Sequence, residues 1–174
     1  DRVLSRDKAA FAEHDRKHGL PWPSTLAVIN RREGVAIDGA TAITSEDQLW
    51  RVLTALGGGA ERGLVVKPAC GERGKGFFRV TPDGTIHDSA GSEVERDRFA
   101  TTVLTYTHRL GNYGYLVQPA LTPHPDVVKL TGIDAIATVR VVVELENGVP
   151  HIVESFLKIP APGRLTDNFL SGSQ

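Results

Sequence analysis

A glycine-rich connection between two strand-forming runs limits what this chain can fold into more than any other stretch. Leu64-Val65-Val66-Lys67-Pro68 leads through Gly71-Glu72-Arg73-Gly74-Lys75-Gly76 into Phe77-Phe78-Arg79-Val80. The apolar, β-branched and aromatic residues on either side predict paired strands over 64–69 and 76–81. Glycines spread through the connection let the backbone take positive φ and keep side chains away from its amides. Such a loop can cradle an anion, with the amides of Glu72 to Gly76 supplying partial charges and Arg73 and Lys75 full ones. Lys67 can reach the same anion from the strand that feeds the loop, a rigid base. The plainer reading is an exposed hairpin turn, where glycine and charged residues are common.

Two phosphate motifs are excluded by spacing. A Walker loop closes on Gly-Lys-Ser/Thr and opens a helix, whereas Lys75 is followed by Gly76-Phe77 and a strand-like run. A dinucleotide fingerprint spaces its glycines G-x-G-x-x-G before a helix, but this chain has Gly71-x-x-Gly74-x-Gly76 between strands.

Elsewhere the pattern alternates helices with short strands. Ser45-Glu46-Asp47-Gln48 reads as a capping box ahead of Leu49, Val52, Leu53 and Leu56, which form one apolar stripe until Gly57-Gly58-Gly59. Thr81-Pro82-Asp83-Gly84 predicts a turn into a strand at 85–87. Ser92-Glu93-Val94-Glu95 predicts the cap of a second helix running through Leu110 to Gly111. A strand is expected over 115–119, crossing into a second lobe. A hairpin of 134–146 and 149–159 is expected around Asn147-Gly148. The least ordered parts should be 57–63, 122–126 and Pro160-Ala161-Pro162-Gly163.

The ordered set resembles the ATP-grasp superfamily, most closely its sugar-transfer-associated proteins. Four stretches carry the resemblance: Asp7-Lys8 with Phe11 ahead of Gly19-Leu20-Pro21; the glycine connection; Leu116-Val117-Gln118-Pro119-Ala120-Leu121 with His124-Pro125; and Ala137-Thr138-Val139-Arg140-Val141 followed by Phe156-Leu157-Lys158 and Asp167-Asn168-Phe169. The resemblance implies an α+β fold whose two small lobes, with antiparallel sheets, enclose ATP. Domains are accordingly expected as a lead-in segment and helix at 1–60, a nucleotide-binding subdomain at 61–118 and a partial second subdomain at 119–174.

It also implies roles. Lys67 would contact ATP phosphate, with Gly71, Glu72, Arg73, Gly74, Lys75 and Gly76 covering the β- and γ-phosphates. Gln118 and the backbone of Ala120 and Leu121 would hold adenine. Arg140, an arginine amid valines, is expected near a buried sheet face, where such a group takes an anionic partner. That partner is the γ-phosphate or an acyl phosphate, against a salt bridge to Glu144 or Glu154. Lys158 would assist from the neighbouring strand. Asp167 and Asn168 are candidate magnesium ligands, against an Asx turn.

The implied activity is that of an ATP-grasp ligase using ATP and magnesium: a small-molecule or peptide carboxylate is activated as an acyl phosphate, an amine or other nucleophile attacks it, and ADP is released. A nucleotide-binding module without catalysis, and a phosphotransferase acting on a hydroxyl, are the alternatives.

Composition narrows the partners. Twenty basic and 21 acidic residues give a formal charge of −1, with no global field for nucleic acid or an anionic membrane. A positive site must therefore be local. No apolar run approaches the roughly 18 residues of a membrane span, and Asp1-Arg2-Val3-Leu4-Ser5 lacks the apolar segment of a signal peptide. A soluble cytoplasmic protein is the expectation. The single cysteine, Cys70, fits a reducing compartment and reads as a small packed residue at a strand end. The absence of any Met, together with the start at Asp1, predicts a longer parent product. Its main magnesium ligands are expected beyond Gln174. The six histidines show no metal spacing: His14 and His18 sit i, i+4 with no third ligand nearby. No Gly-x-Ser-x-Gly elbow occurs.

Overall fold

The computed structural model describes residues 6–34, 36–71, 74–109 and 111–167. The chain divides into two units, Asp1–Leu121 and Thr122–Gln174. Unit 1 carries a six-stranded sheet in the order β2 (Thr41–Ile43), β1 (Ala27–Ile29), β6 (Tyr115–Pro119), β3 (Leu64–Pro68), β4 (Phe78–Val80), β5 (Ile86–Asp88). β1 and β2 run parallel, and every other neighbouring pair is antiparallel.

β1 pairs with β6 through Val28 opposite Leu116, which places β1 in the sheet expected to begin at 61. β6, expected to cross into a second lobe, lies inside this sheet between β1 and β3. β1 and β2 are three residues long and, unlike β4 and β5, have no turn or glycine connection beside them that pairs them with a neighbouring run, so the sequence shows no period there.

Alternation along the strands assigns the two faces of the sheet. Leu64 and Val66 of β3, with Tyr115 and Val117 of β6, belong to the main core, packed by Leu49 and Leu53 of α2 (Glu46–Gly57) and by Phe99 and Val103 of α3 (Arg96–Thr105). The opposite face holds a smaller cluster, in which Leu116 and Ala69 meet Ala9 of α1 (Lys8–Lys17). Lys67 pairs with Leu116 and Val65 with Gln118, so Lys67 and Gln118 share this second face.

The helix ends follow local chemistry. Ser45 caps α2, its hydroxyl accepting from the Gln48 amide at 3.4 Å, while the Gln48 side chain reaches back to the Thr44 amide at 2.9 Å. α3 differs from expectation: it starts at Arg96 and stops at Thr105. Ser92–Glu95 is drawn instead onto β5, where the Val94 amide donates to the Ile86 carbonyl and the Asp88 carboxylate accepts from the Ala90 and Ser92 amides. Tyr106 then turns extended and ends the helix. Leu110, the expected helix end, lies outside the described residues.

Unit 2 contains α4 (Pro125–Thr131) and an antiparallel pair, β7 (Thr138–Glu146) and β8 (Val149–Lys158). The segment 122–126, expected to be poorly ordered, instead opens α4, because Pro125 sits in its first turn and His124 Nδ1 accepts from the Asp126 amide. Asn147 and Gly148 take positive φ, 51° and 81°, as a two-residue hairpin turn requires. The hairpin has a bulge at Val142/Val143 and is exposed along nearly its whole length. One face of β7 is apolar, with Val139, Val141, Val143 and Leu145; Arg140, Val142, Glu144 and Glu146 stand on the other.

Candidate functional site

Lys67, one of the expected phosphate ligands, lies on β3. β3 fixes its backbone against Leu116, and its half-buried ammonium lies 5.7 Å from the centre of the Trp22 ring. Burial, and secondarily the neighbouring Lys8, lower its pKa from 10.5 to about 8. Among the described residues no carboxylate pairs with it. An ammonium held this way has room for an anionic partner.

Lys8 stands close enough to Lys67 to lower its pKa, and sequence reasoning gave Lys8 no role. Its ammonium donates to the carbonyls of Gly71 at 2.8 Å and Pro68 at 3.2 Å, so a cation stands at the mouth of the glycine connection. Burial lowers its pKa as well, while Cys70 and Asp7 oppose the shift. The position of Lys8 is set by its neighbour: Asp7 caps α1 by accepting from the Ala9 amide and pairs with Arg31 at 2.7 Å. Asp7 and Arg31 are 1% and 7% exposed. Arg31 also donates to the Tyr113 carbonyl at 2.9 Å. The Asp7-Lys8 dipeptide was visible as a motif, but only the folded chain brings it beside Lys67. Trp22 was missed for the same reason; Phe11 holds it edge-on at 5.1 Å.

The connection itself is described at both ends. Gly74 and Gly76 take positive φ of 68° and 70°, and Lys75 between them is exposed. Glu72 and Arg73 lie outside the described residues. Gly76 has a second constraint, since a Cβ built there would fall 2.6 Å from the Tyr115 hydroxyl and 3.1 Å from Pro68 Cγ. Gly76→Ala should therefore cost roughly 1–3 kcal/mol of stability through backbone strain and crowding. Chemical denaturation tests this, and an unchanged midpoint would contradict it.

The expected adenine contacts are placed as follows. The Gln118 side chain is 2% exposed and donates to the Pro23 carbonyl at 3.0 Å and to the Thr25 hydroxyl at 3.3 Å. Its amide thus ties the segment carrying Trp22 to β6. The Ala120 amide donates to the Gly63 carbonyl at 2.9 Å, and Leu121 is exposed.

Unit 2 holds the remaining candidates. Arg140, expected near a buried face, is exposed, as is every residue of β7. It stands across from Phe156 and forms neither of the considered salt bridges, to Glu144 or to Glu154. Lys158 and Asp167 are brought together at 3.4 Å, with side chains 11% and 18% exposed. The Thr138 hydroxyl donates to the same carboxylate oxygen. Asn168 lies outside the described residues.

That pairing bears on magnesium. One Asp167 oxygen already serves an ammonium and a hydroxyl, and the described residues contain no group of three His, Cys, Asp or Glu that could hold a metal ion. Among the described residues no helix is long and apolar enough to cross a membrane.

A family model described as sugar-transfer associated ATP-grasp matches residues 2–173. No curated protein and no solved structure matches the chain.

Proposed function

The chain belongs to the sugar-transfer-associated ATP-grasp family, and from that premise we propose that it is an ATP-dependent, ligase-like enzyme that activates a carboxylate. In this reading a carboxylate oxygen attacks the γ-phosphorus of ATP and the bond to ADP breaks. An amine or other nucleophile then attacks the acyl carbon and expels phosphate. Transfer of this kind depends on positioning and on neutralising oxygen charge, which is work for fixed cations and amides.

The observation that supports it most is the pair of lysines, Lys8 and Lys67, at the base of the glycine connection, both with pKa lowered by burial. Phosphate oxygens placed there would relieve the repulsion and replace lost hydration. The roles proposed for the connection are contacts from the amides of Glu72 to Gly76 and charge from Arg73 and Lys75. Adenine is proposed to meet the backbone of Ala120 and Leu121, with Gln118, buried and bonded to Pro23 and Thr25, fixing the strand that presents them. Arg140 is proposed to neutralise the phosphoryl group in transfer, so Arg140→Ala should lower turnover while leaving nucleotide affinity within about twofold. Lys158, paired with Asp167, is proposed to assist.

The test is product analysis. ATP with a carboxylate and a nucleophile should yield ADP, phosphate and the joined product, with no turnover when either acceptor is withheld. Transfer of phosphate to a hydroxyl would identify a phosphotransferase instead. ADP binding without turnover over a broad acceptor panel would leave the module reading in its place.

A pH dependence follows from Lys67. Its pKa is about 8 in the free protein, and a bound phosphate raises it, so binding above that pH must take up a proton. Affinity for ADP should lose up to about tenfold per pH unit above pH 8, and Lys67 should impose no slope below it. Calorimetry across pH 7 to pH 10 checks this; a flat profile above pH 8 would contradict it.

A further inference from the structure

Two tyrosines stand beside the glycine connection, and among the described residues only the hydroxyl of Tyr106 has a hydrogen-bond partner. Tyr106, just after α3, donates its hydroxyl to the Cys70 carbonyl at 3.0 Å. Tyr115, the first residue of β6, is 0% exposed, and its ring meets that of Tyr106 edge-on at 4.9 Å. Its hydroxyl is buried with no hydrogen-bond partner among the described residues. Burying a hydroxyl without a partner costs the folded state, and phenylalanine would fill the same space without that cost.

The surroundings of that hydroxyl indicate its use. The nearest atom to a Cβ built on Gly76 is the Tyr115 hydroxyl oxygen, at 2.6 Å, so the Gly76 backbone rests against it. Gly76 in turn follows Lys75 at the end of the connection, where Lys8 holds the carbonyls of Pro68 and Gly71 on the other side.

We propose that Tyr115 is a positioning residue for nucleotide binding: its hydroxyl hydrogen-bonds the backbone at Gly76 when phosphate is bound, setting where the Gly74–Gly76 amides stand relative to the anion. This rests on the nucleotide-binding reading given above. Tyr106 provides the internal contrast, because its hydroxyl already has a partner in the free protein and serves the fold itself.

The experiment measures Mg-ADP affinity by calorimetry and the melting temperature of the nucleotide-free chain for wild type, Tyr115→Phe and Tyr106→Phe. Tyr115→Phe should melt at the same temperature or higher and bind Mg-ADP roughly three- to tenfold more weakly, the loss of one hydrogen bond. Tyr106→Phe should melt lower, since it loses a bond already made. If Tyr115→Phe binds as well as wild type or better, the proposal is overturned while nucleotide binding stands. A lower melting temperature for Tyr115→Phe also overturns it, since the hydroxyl would then be serving the free fold. Wild type that fails to bind Mg-ADP overturns the nucleotide reading and this proposal together.

Discussion

Lys67→Met weakens Mg-ADP binding by roughly ten- to a hundredfold, the range of a lost charge-assisted hydrogen bond, and leaves the free protein equally stable or more so. The two effects have one cause. Burial lowers the pKa of Lys67 to about 8 from 10.5, so at neutral pH the folded chain holds an ammonium it has partly desolvated. Methionine keeps the apolar stem against Trp22 and removes the charge. The sign of the pH dependence follows from the same shift. Between pH 8 and pH 10.5 the unfolded chain binds the extra proton, so wild-type stability contributed by this group rises with pH across that window. The stability advantage of Lys67→Met should accordingly be greatest below pH 8 and shrink above it. Thermal melts at pH 7 and pH 10 with and without Mg-ADP measure both effects. A variant that melts far below wild type at pH 7, or binds as tightly, contradicts the account.

Asp7→Ala has the largest expected effect on stability, a loss of roughly 3 kcal/mol or a melting point lower by roughly 10 °C. Asp7 is 1% exposed and accepts from both the Ala9 amide and the Arg31 guanidinium, which is itself 7% exposed. Alanine removes the cap of α1 and takes the carboxylate from a buried cation that also donates to the Tyr113 carbonyl. Because Lys8 follows directly, the change should also weaken Mg-ADP binding beyond what the stability loss alone produces. Denaturant unfolding together with calorimetry at a temperature where the variant is folded separates the two. A stability loss under about 1 kcal/mol would mean that the pair does not hold α1 in place.

What could be read from the sequence was local. The strands flanking the glycine connection, the Ser45 cap of α2 and the Asn147-Gly148 turn each depend on residues within a few positions of one another, and each appears where its chemistry requires. Partners distant in sequence were not legible. Ser92 resembles a helix cap, but a sheet edge competes for its segment, and β5 takes Val94. Pro125 resembles a loop residue until it is seen in the first turn of α4. Arg140 amid valines suggests a buried face, yet valine content does not say whether a strand has one covered side or none. In the candidate site, Lys67 stood out because it sits beside the glycines. Lys8 and Trp22 reach it only through the packing of α1 and the following segment on the second face of the sheet.

The most direct test follows the ammonium of Lys67 itself, by NMR titration of its side-chain carbon shifts in the free chain and in the chain saturated with Mg-ADP. The account predicts a titration midpoint near pH 8 without nucleotide and a midpoint raised by about one unit or more with it. A midpoint that stays the same on saturation would mean that the phosphates bind elsewhere, and the proposed site would be wrong.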